Sequence, residues 1–189
     1  MTIKDDDVRV LVREVVSRVL AERNAALPVS SGAPSTSSQK KVAIGADHGG
    51  LNLKQDLAKY LAELGYAVTD CGTLTPDPVD YPDIAYAVAK LVSDGAAWRG
   101  IIIDGAGIGS AMTANKVPGV RAALCYDLST GRNAREHNDA NVLTLGARLI
   151  GAGLARDIVQ VFLETECTEE RHKKRVAKIM DVEKRFLKK

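Results

Sequence analysis

From Lys41 onward the chain alternates short apolar runs with amphipathic stretches of helical period, and that alternation leaves few folds open. KVAIGAD, YAVTDCG, RGIIIDG, VRAALCYD and NVLTLGA read as five strands. Between the first two, LNLKQDLAKYLAELG carries Leu53, Leu57, Leu61 and Leu64 on one helical face, and Gly65 ends it. PDIAYAVAKLVSDG is the next helix. Strands joined through helices of this length imply right-handed βαβ units and a Rossmann-like α/β sandwich, a five-stranded parallel sheet covered on both faces. Ligands of such sheets bind beyond the carboxyl ends of the strands, which directs attention to GADHGG, DCGT, DGAGIGS and the residues after CYD. No internal repeat competes with this reading.

Composition narrows the classes further. The 189 residues include 46% hydrophobic and 26% charged side chains, an ordinary balance for a soluble globular protein. A net charge of +2 makes no general case for nucleic acid or membrane surfaces. No apolar run reaches the ~18 residues of a membrane span, and the N-terminus has no signal-peptide core. Cys71, Cys125 and Cys167 are odd in number and irregular in spacing, so reduced thiols in a cytoplasmic setting are expected, not a disulfide frame or a metal site.

The first forty residues differ in kind. Residues 1–27 carry Val8, Leu11, Val12, Val15, Val16, Val19 and Leu20 as a helical stripe, with Asp5, Asp6 and Asp7 where a helix start favours negative charge. Residues 28–40, PVSSGAPSTSSQK, read as a flexible linker before a domain over 41–189. A helix this short needs a partner, either its own domain, a neighbouring subunit or another protein.

The stretch IIIDGAGIGSAMTANK concentrates the chemistry. Gly105, Gly107 and Gly109 follow a strand and open a helix, so backbone N–H groups can converge on an oxyanion. A dinucleotide site is the weaker reading, although Asp127 closes the following strand: the glycines run G-x-G-x-G, and the loop follows the third strand instead of the first. A purely structural tight turn is a further alternative. Asp47 and His48 end the first strand, Tyr81 follows an aspartate-rich loop, and His137 and Asn138 lie in AREHNDAN, which the pattern assigns to the ligand edge. On the last helix Arg171 and Arg175 stand one turn apart, a spacing that suits a phosphate clamp or, equally, a solvated basic face.

These residues carry a resemblance. VAIGADHGG-LK, GY-V-D-GT, DYPDIA, GIII-G-GIG, ANKVPGVRAAL, AREHNDANVLTLGARLIG and RHKKRV resemble the type B ribose-5-phosphate isomerases and the related galactose-6-phosphate isomerases from Lys41 to the end. The resemblance implies an aldose–ketose isomerase of a pentose or hexose phosphate, without cofactor or metal, working as a homodimer or tetramer with active sites between subunits. It implies that His137 and Asp47 assist ring opening, and that His48, Arg148, Arg171 and Arg175 hold the phosphate. Asn138 and the amides of Gly105, Gly107 and Gly109 would face the enediolate oxygens, and Tyr81 would line the sugar. Residues 1–27 with their linker resemble the encapsulation peptides of bacterial microcompartments, which implies a shell protein as partner.

One position departs from the family pattern. Many relatives place a cysteine base where this chain has Asp104, and others a glutamate where it has Ser110. Asp104 resembles one subunit type of galactose-6-phosphate isomerase, yet that subunit lacks the counterpart of Arg148. Asp104 is therefore the candidate proton-abstracting base, with Ser110 beside it. Carboxylates are ordinarily weak bases, so this role demands a desolvated site. The alternative is an aspartate that only caps the loop, in a non-catalytic companion subunit.

Overall fold

The computed structural model describes residues 39–187. The expected terminal helix over 1–27 and all of the linker but its last two residues lie outside that range.

Among the described residues, five strands alternate with helices and a sixth helix closes the series: β1 (Lys41–Ala46), α1 (Leu51–Glu63), β2 (Ala67–Asp70), α2 (Tyr81–Ser93), β3 (Arg99–Asp104), α3 (Ile108–Ala114), β4 (Ala122–Leu124), α4 (Leu128–Glu136), β5 (Val142–Gly146), α5 (Ala152–Glu164) and α6 (Glu170–Phe186). All strand pairs are parallel, in the order β2-β1-β3-β5-β4. The Rossmann-like sandwich expected from the alternation is the fold observed. Among the described residues, no helix is long and apolar enough to cross a membrane.

The pleat divides the core as period-two side chains require. Val42, Ile44, Ile101, Ile103, Leu143 and Leu145 face α1 and α5 through Leu57, Leu61, Ile158 and Phe162. Ala43, Ile102 and Val142 face the opposite way, against Ala85, Val88 and Val92 of α2 and Ala114 of α3. Most of these side chains are fully buried, and each large one contributes ~1.5–3 kcal/mol by leaving water. β4 is shorter than VRAALCYD suggested. It is an edge strand, and the side chain of Asn141 takes the Arg121 amide at 2.7 Å just before the strand begins.

The order of strands sets up the site. From β1 the chain goes outward to β2 and then crosses to β3 on the other side, so the loops after β1 and β3 diverge and leave a crevice between them. Asp47 donates its amide to Ile103 across that crevice at 3.3 Å, and Arg148 donates its amide to Gly105 at 3.1 Å from the end of β5. Three candidate segments therefore meet at one edge.

A partly buried ion pair fastens this edge. Lys54, fully buried on α1, reaches Asp70 at 2.6 Å and the carbonyl of Thr73 at 2.8 Å, while Asp70 accepts the Gly72 amide at 2.9 Å. Lys54 is the buried member and Asp70 is 34% exposed, so removing Asp70 is the costly change: it strands the ammonium at a cost of about 3 kcal/mol, the low end for a buried pair. The loop leading to Tyr81 is held at its start by that pair. Near its end, the Val79 amide donates to His48 Nδ1 at 3.3 Å.

Candidate active site

Asp104 ends β3 and is 5% exposed. Its Oδ1 accepts the amides of Ala106, at 2.7 Å, and of Gly107; its Oδ2 accepts the Ser110 amide at 3.1 Å and the Ser110 hydroxyl at 2.5 Å. The carboxylate thus organises the loop it opens, and of the amides expected to cradle a ligand oxyanion that of Gly107 is turned onto it, together with its neighbour Ala106. Ile108 and Gly109 form the first turn of α3, where N–H groups have no partner within a helix. An acid at the mouth of this loop has a physical reason. Buried among four donors, a charge is what satisfies them.

Glycine is required at two places in the loop. Gly107 has φ 77°, and a Cβ there would stand 2.5 Å from Leu124 Cδ1 and 2.9 Å from the Leu145 carbonyl carbon. At Gly109 a Cβ would collide with Tyr81 Cζ and stand 2.6 Å from its hydroxyl oxygen, so the phenol end of the tyrosine packs directly against the start of α3. Tyr126 clamps the loop from the other side, its hydroxyl donating to the Ala106 carbonyl at 2.8 Å.

The neighbours fill in the edge. Asp47 is 9% exposed and accepts the Gly50 amide at 3.0 Å. A Cβ on Gly49 would lie 3.3 Å from Asp47 Oδ1 and 4.0 Å from the Gly105 amide, which fixes Asp47 beside the glycine loop. The Arg148 side chain passes over Gly105, with its Cδ 3.7 Å from where a Cβ would be. Asp47, His48, Tyr81, Asp104, Ser110 and Arg148 are brought together at the carboxyl edge. Asp127 serves differently: it accepts the Thr130 amide at 2.7 Å in a capping box that starts α4.

His137 and Asn138 are elsewhere. α4 starts at the carboxyl end of β4 and runs back against the strands for nine residues, about 13 Å. His137 caps its far end, and Asp139 to Asn141 lead into the amino end of β5, so AREHNDAN lies at the amino edge. This corrects the edge assigned from the sequence, and the reason is topological. A segment that follows a helix and precedes a parallel strand must sit at the opposite edge from the strand-to-helix loops. Within one chain, His137 and Asp104 occupy opposite ends of the sheet.

At that amino edge a second cluster forms. Asn133 approaches His137 Nδ1 at 2.8 Å through its side-chain amide, and the same residue takes the Asn138 side chain at 3.2 Å on its carbonyl. His137 stacks on His172 of α6, ring centroids 4.1 Å apart and planes 19° from parallel. Arg171 and Arg175 are exposed on α6, with Arg171 Nε paired to Glu169 at 2.6 Å. His172 was not singled out from the sequence, where only its place in RHKKRV, between the two arginines, could have flagged it.

His172 is 3% exposed. Desolvation holds its imidazole below the ordinary histidine range; His137, Arg171 and Arg175 push the same way, and Glu169 opposes them. The folded chain therefore binds fewer protons here than the unfolded chain, and stability is lost as pH falls below the ordinary histidine value of ~6.5. The urea midpoint should drop between about pH 7.5 and about pH 5.5, and drop less in His172→Phe, which has no proton to bind. Equal slopes in the two proteins would exclude His172 as a source of acid sensitivity.

Residues 42–179 match the Ribose/Galactose Isomerase family. The chain is 40% identical over 146 residues to ribose-5-phosphate isomerase B of Escherichia coli strain K12, covering 77% of this chain and 98% of that protein. It is 43% identical over 129 residues to D-erythrulose-4-phosphate isomerase of Pectobacterium atrosepticum, covering 66% of this chain and 83% of that one. The structure matches Clostridium thermocellum ribose-5-phosphate isomerase B with a TM-score of 0.76 and 49% identity, covering 78% of this chain and 99% of that one. The protein belongs to the ribose/galactose isomerase family, and it is an isomerase.

Proposed function

We propose that the enzyme interconverts the aldose and ketose forms of a pentose phosphate, ribose 5-phosphate and ribulose 5-phosphate, through an enediolate. The observation that carries this reading is the buried Asp104 carboxylate beside an amide-lined glycine loop, with Arg148 over the same loop. The names of the relatives support the sugar phosphate, and those of the E. coli and C. thermocellum proteins favour a five-carbon chain over a six-carbon one.

The site is shared between two copies of the chain. One copy supplies the carboxyl-edge group of Asp47, His48, Tyr81, Asp104 and Arg148, and the second supplies His137, Asn138, Arg171 and Arg175 from its amino edge. Two features support this assembly. No single chain can bring both groups to one sugar, and α6 leaves Ile179, Val182 and Phe186 47%, 51% and 82% exposed beside a concavity of about 570 Å³. Apolar residues in that number on one helix suit a self-complementary contact.

The chemistry then follows from the placements. His48 and Arg148, with Arg171 and Arg175 of the second copy, bind the phosphate and fix the sugar's position. His137 and Asp47 move the protons that open the furanose: one leaves the anomeric hydroxyl and one reaches the ring oxygen. Asp104 takes the proton from C2 of the open aldehyde and returns it to C1, while the O2 proton passes to O1. Atoms and oxidation state balance within the substrate. The developing enediolate charge meets the free amides of the α3 turn and Asn138, and Tyr81 lines the sugar.

Ser110 gains a definite role in this scheme. Once Asp104 is protonated, three of its four hydrogen-bond partners are amides that can only donate. The Ser110 hydroxyl alone can turn and accept.

The test is solvent-deuterium incorporation across four-, five- and six-carbon aldose and ketose phosphates. Ribose 5-phosphate and ribulose 5-phosphate should exchange and interconvert fastest. Arg171→Ala and Arg175→Ala should each weaken substrate binding by ~1.5–3 kcal/mol, the range for a charged hydrogen bond. A preference for a four- or six-carbon substrate would overturn the pentose assignment, and no exchange with any of them would favour a non-catalytic companion subunit.

A further inference from the structure

His137 is poorly held by its own helix. It caps the end of α4, its side chain is 40% exposed, and among the described residues the imidazole has one hydrogen bond, that from the Asn133 side-chain amide. Glu136 stands 3.7 Å from Nε2, beyond a hydrogen bond. One hydrogen bond fixes a point on an imidazole but leaves the ring free to swing about it. A group that must deliver a proton to one oxygen of a bound sugar cannot work from a swinging ring.

The missing constraint comes from α6. The His172 ring lies face to face with His137, and among the described residues both His172 nitrogens are buried without a hydrogen-bond partner. A buried imidazole without partners costs stability compared with an apolar ring of the same size. Its neighbours discourage it from charging: His137 lies on its face, and Arg171 and Arg175 flank it on α6, with Glu169 opposing them. A neutral aromatic ring is a suitable surface for this neighbour. It stacks on a neutral imidazole and still tolerates an imidazolium, whose charge is attracted to a π face.

We propose that His172 is a positioning residue, a stacking platform that holds the His137 ring in the orientation required to open the sugar. This rests on the reading of His137 given above. His172 touches no reacting atom in this role. It acts through the orientation of His137.

The experiment separates ring opening from proton abstraction. Ribulose 5-phosphate has its C5 hydroxyl phosphorylated and stays open-chain, so deuterium exchange at its C1 needs the enediolate step but no ring opening. His172→Ala should lower turnover of ribose 5-phosphate by about 10- to 100-fold, the scale of a misplaced catalytic group, while C1 exchange into ribulose 5-phosphate stays within about threefold. Retained exchange also shows that Arg171 and Arg175 still bind phosphate. His172→Phe keeps a stacking ring and should restore ribose 5-phosphate turnover to within about threefold of the parent.

A His172→Ala variant that turns over ribose 5-phosphate like the parent would overturn the proposal. So would a His172→Phe variant as slow as His172→Ala, or equal losses in both assays, which would mark His172 as merely structural. His137→Ala tells the two possible failures apart. If it keeps full turnover of ribose 5-phosphate, the reading of His137 falls and the platform with it; if it loses turnover while His172→Ala does not, only the platform falls.

Discussion

Asp104→Asn is expected to lower isomerase turnover by ~10²-fold or more, the usual scale for losing a positioned general base. The substitution keeps the shape of the side chain but gives one of its two positions an NH₂ group, and both positions now face donors. Either the Ala106 and Gly107 amides then lose their acceptor, or the Ser110 amide does while its hydroxyl turns to accept from the NH₂, so a loss of ~1–3 kcal/mol in stability should accompany the loss of rate. Binding of a non-reacting pentitol phosphate separates the two effects. If Asp104 is the base, affinity holds or rises slightly, because one negative charge has left a pocket that receives another. If Asp104 only shapes the loop, affinity falls together with turnover.

Asp104→Cys supplies a further check. A thiolate accepts a proton but cannot take four hydrogen bonds at the distances seen here, so this variant should isomerise measurably while being less stable than the parent. Ser110→Ala removes the one partner that can reverse its hydrogen bond and should slow turnover by about tenfold without loosening substrate binding. An Asp104→Asn variant with parental turnover would remove the carboxylate from the chemistry.

Much of this site could be read before the fold was seen, and the residues show why. IIID announces a buried strand that ends in an acid, and the glycines after it leave little but a turn into a helix; both lie within a few residues of each other. Asp47, His48 and Arg148 follow apolar strands, so the rule of the carboxyl edge reaches them directly. What stayed hidden depends on contacts between distant segments. Lys54 stands at helical spacing with Leu57 and Leu61, a hint that it faces inward, but only the meeting of α1 with the end of β2 gives it Asp70. The stack of His137 on His172 joins α4 to α6 across the sheet edge, a path that no local pattern encodes. The placement of AREHNDAN was available from topology and was missed because polar residues near strands invite assignment to the ligand edge.

That placement leads to the sharpest test of the assembly. Asp104→Asn and His137→Ala should each be nearly inactive alone, because each removes one half of the proposed chemistry. If the site takes Asp104 from one copy and His137 from the other, the two variants repair one another. A mixed dimer has one site with both substitutions and one with neither. Random pairing of equal amounts makes half of the dimers mixed, so about a quarter of parental activity should return. Two chains carrying different affinity tags, co-expressed and purified through both, isolate the mixed species, which should show about half of parental activity. A site contained within one chain predicts no recovery, since every copy would then lack either its base or its ring-opening histidine. Doubly tagged dimers that remain as slow as the separate variants would break the shared-site assembly. His137 would then lie outside the chemistry, since the opposed ends of β3 and α4 keep it from Asp104 within one chain.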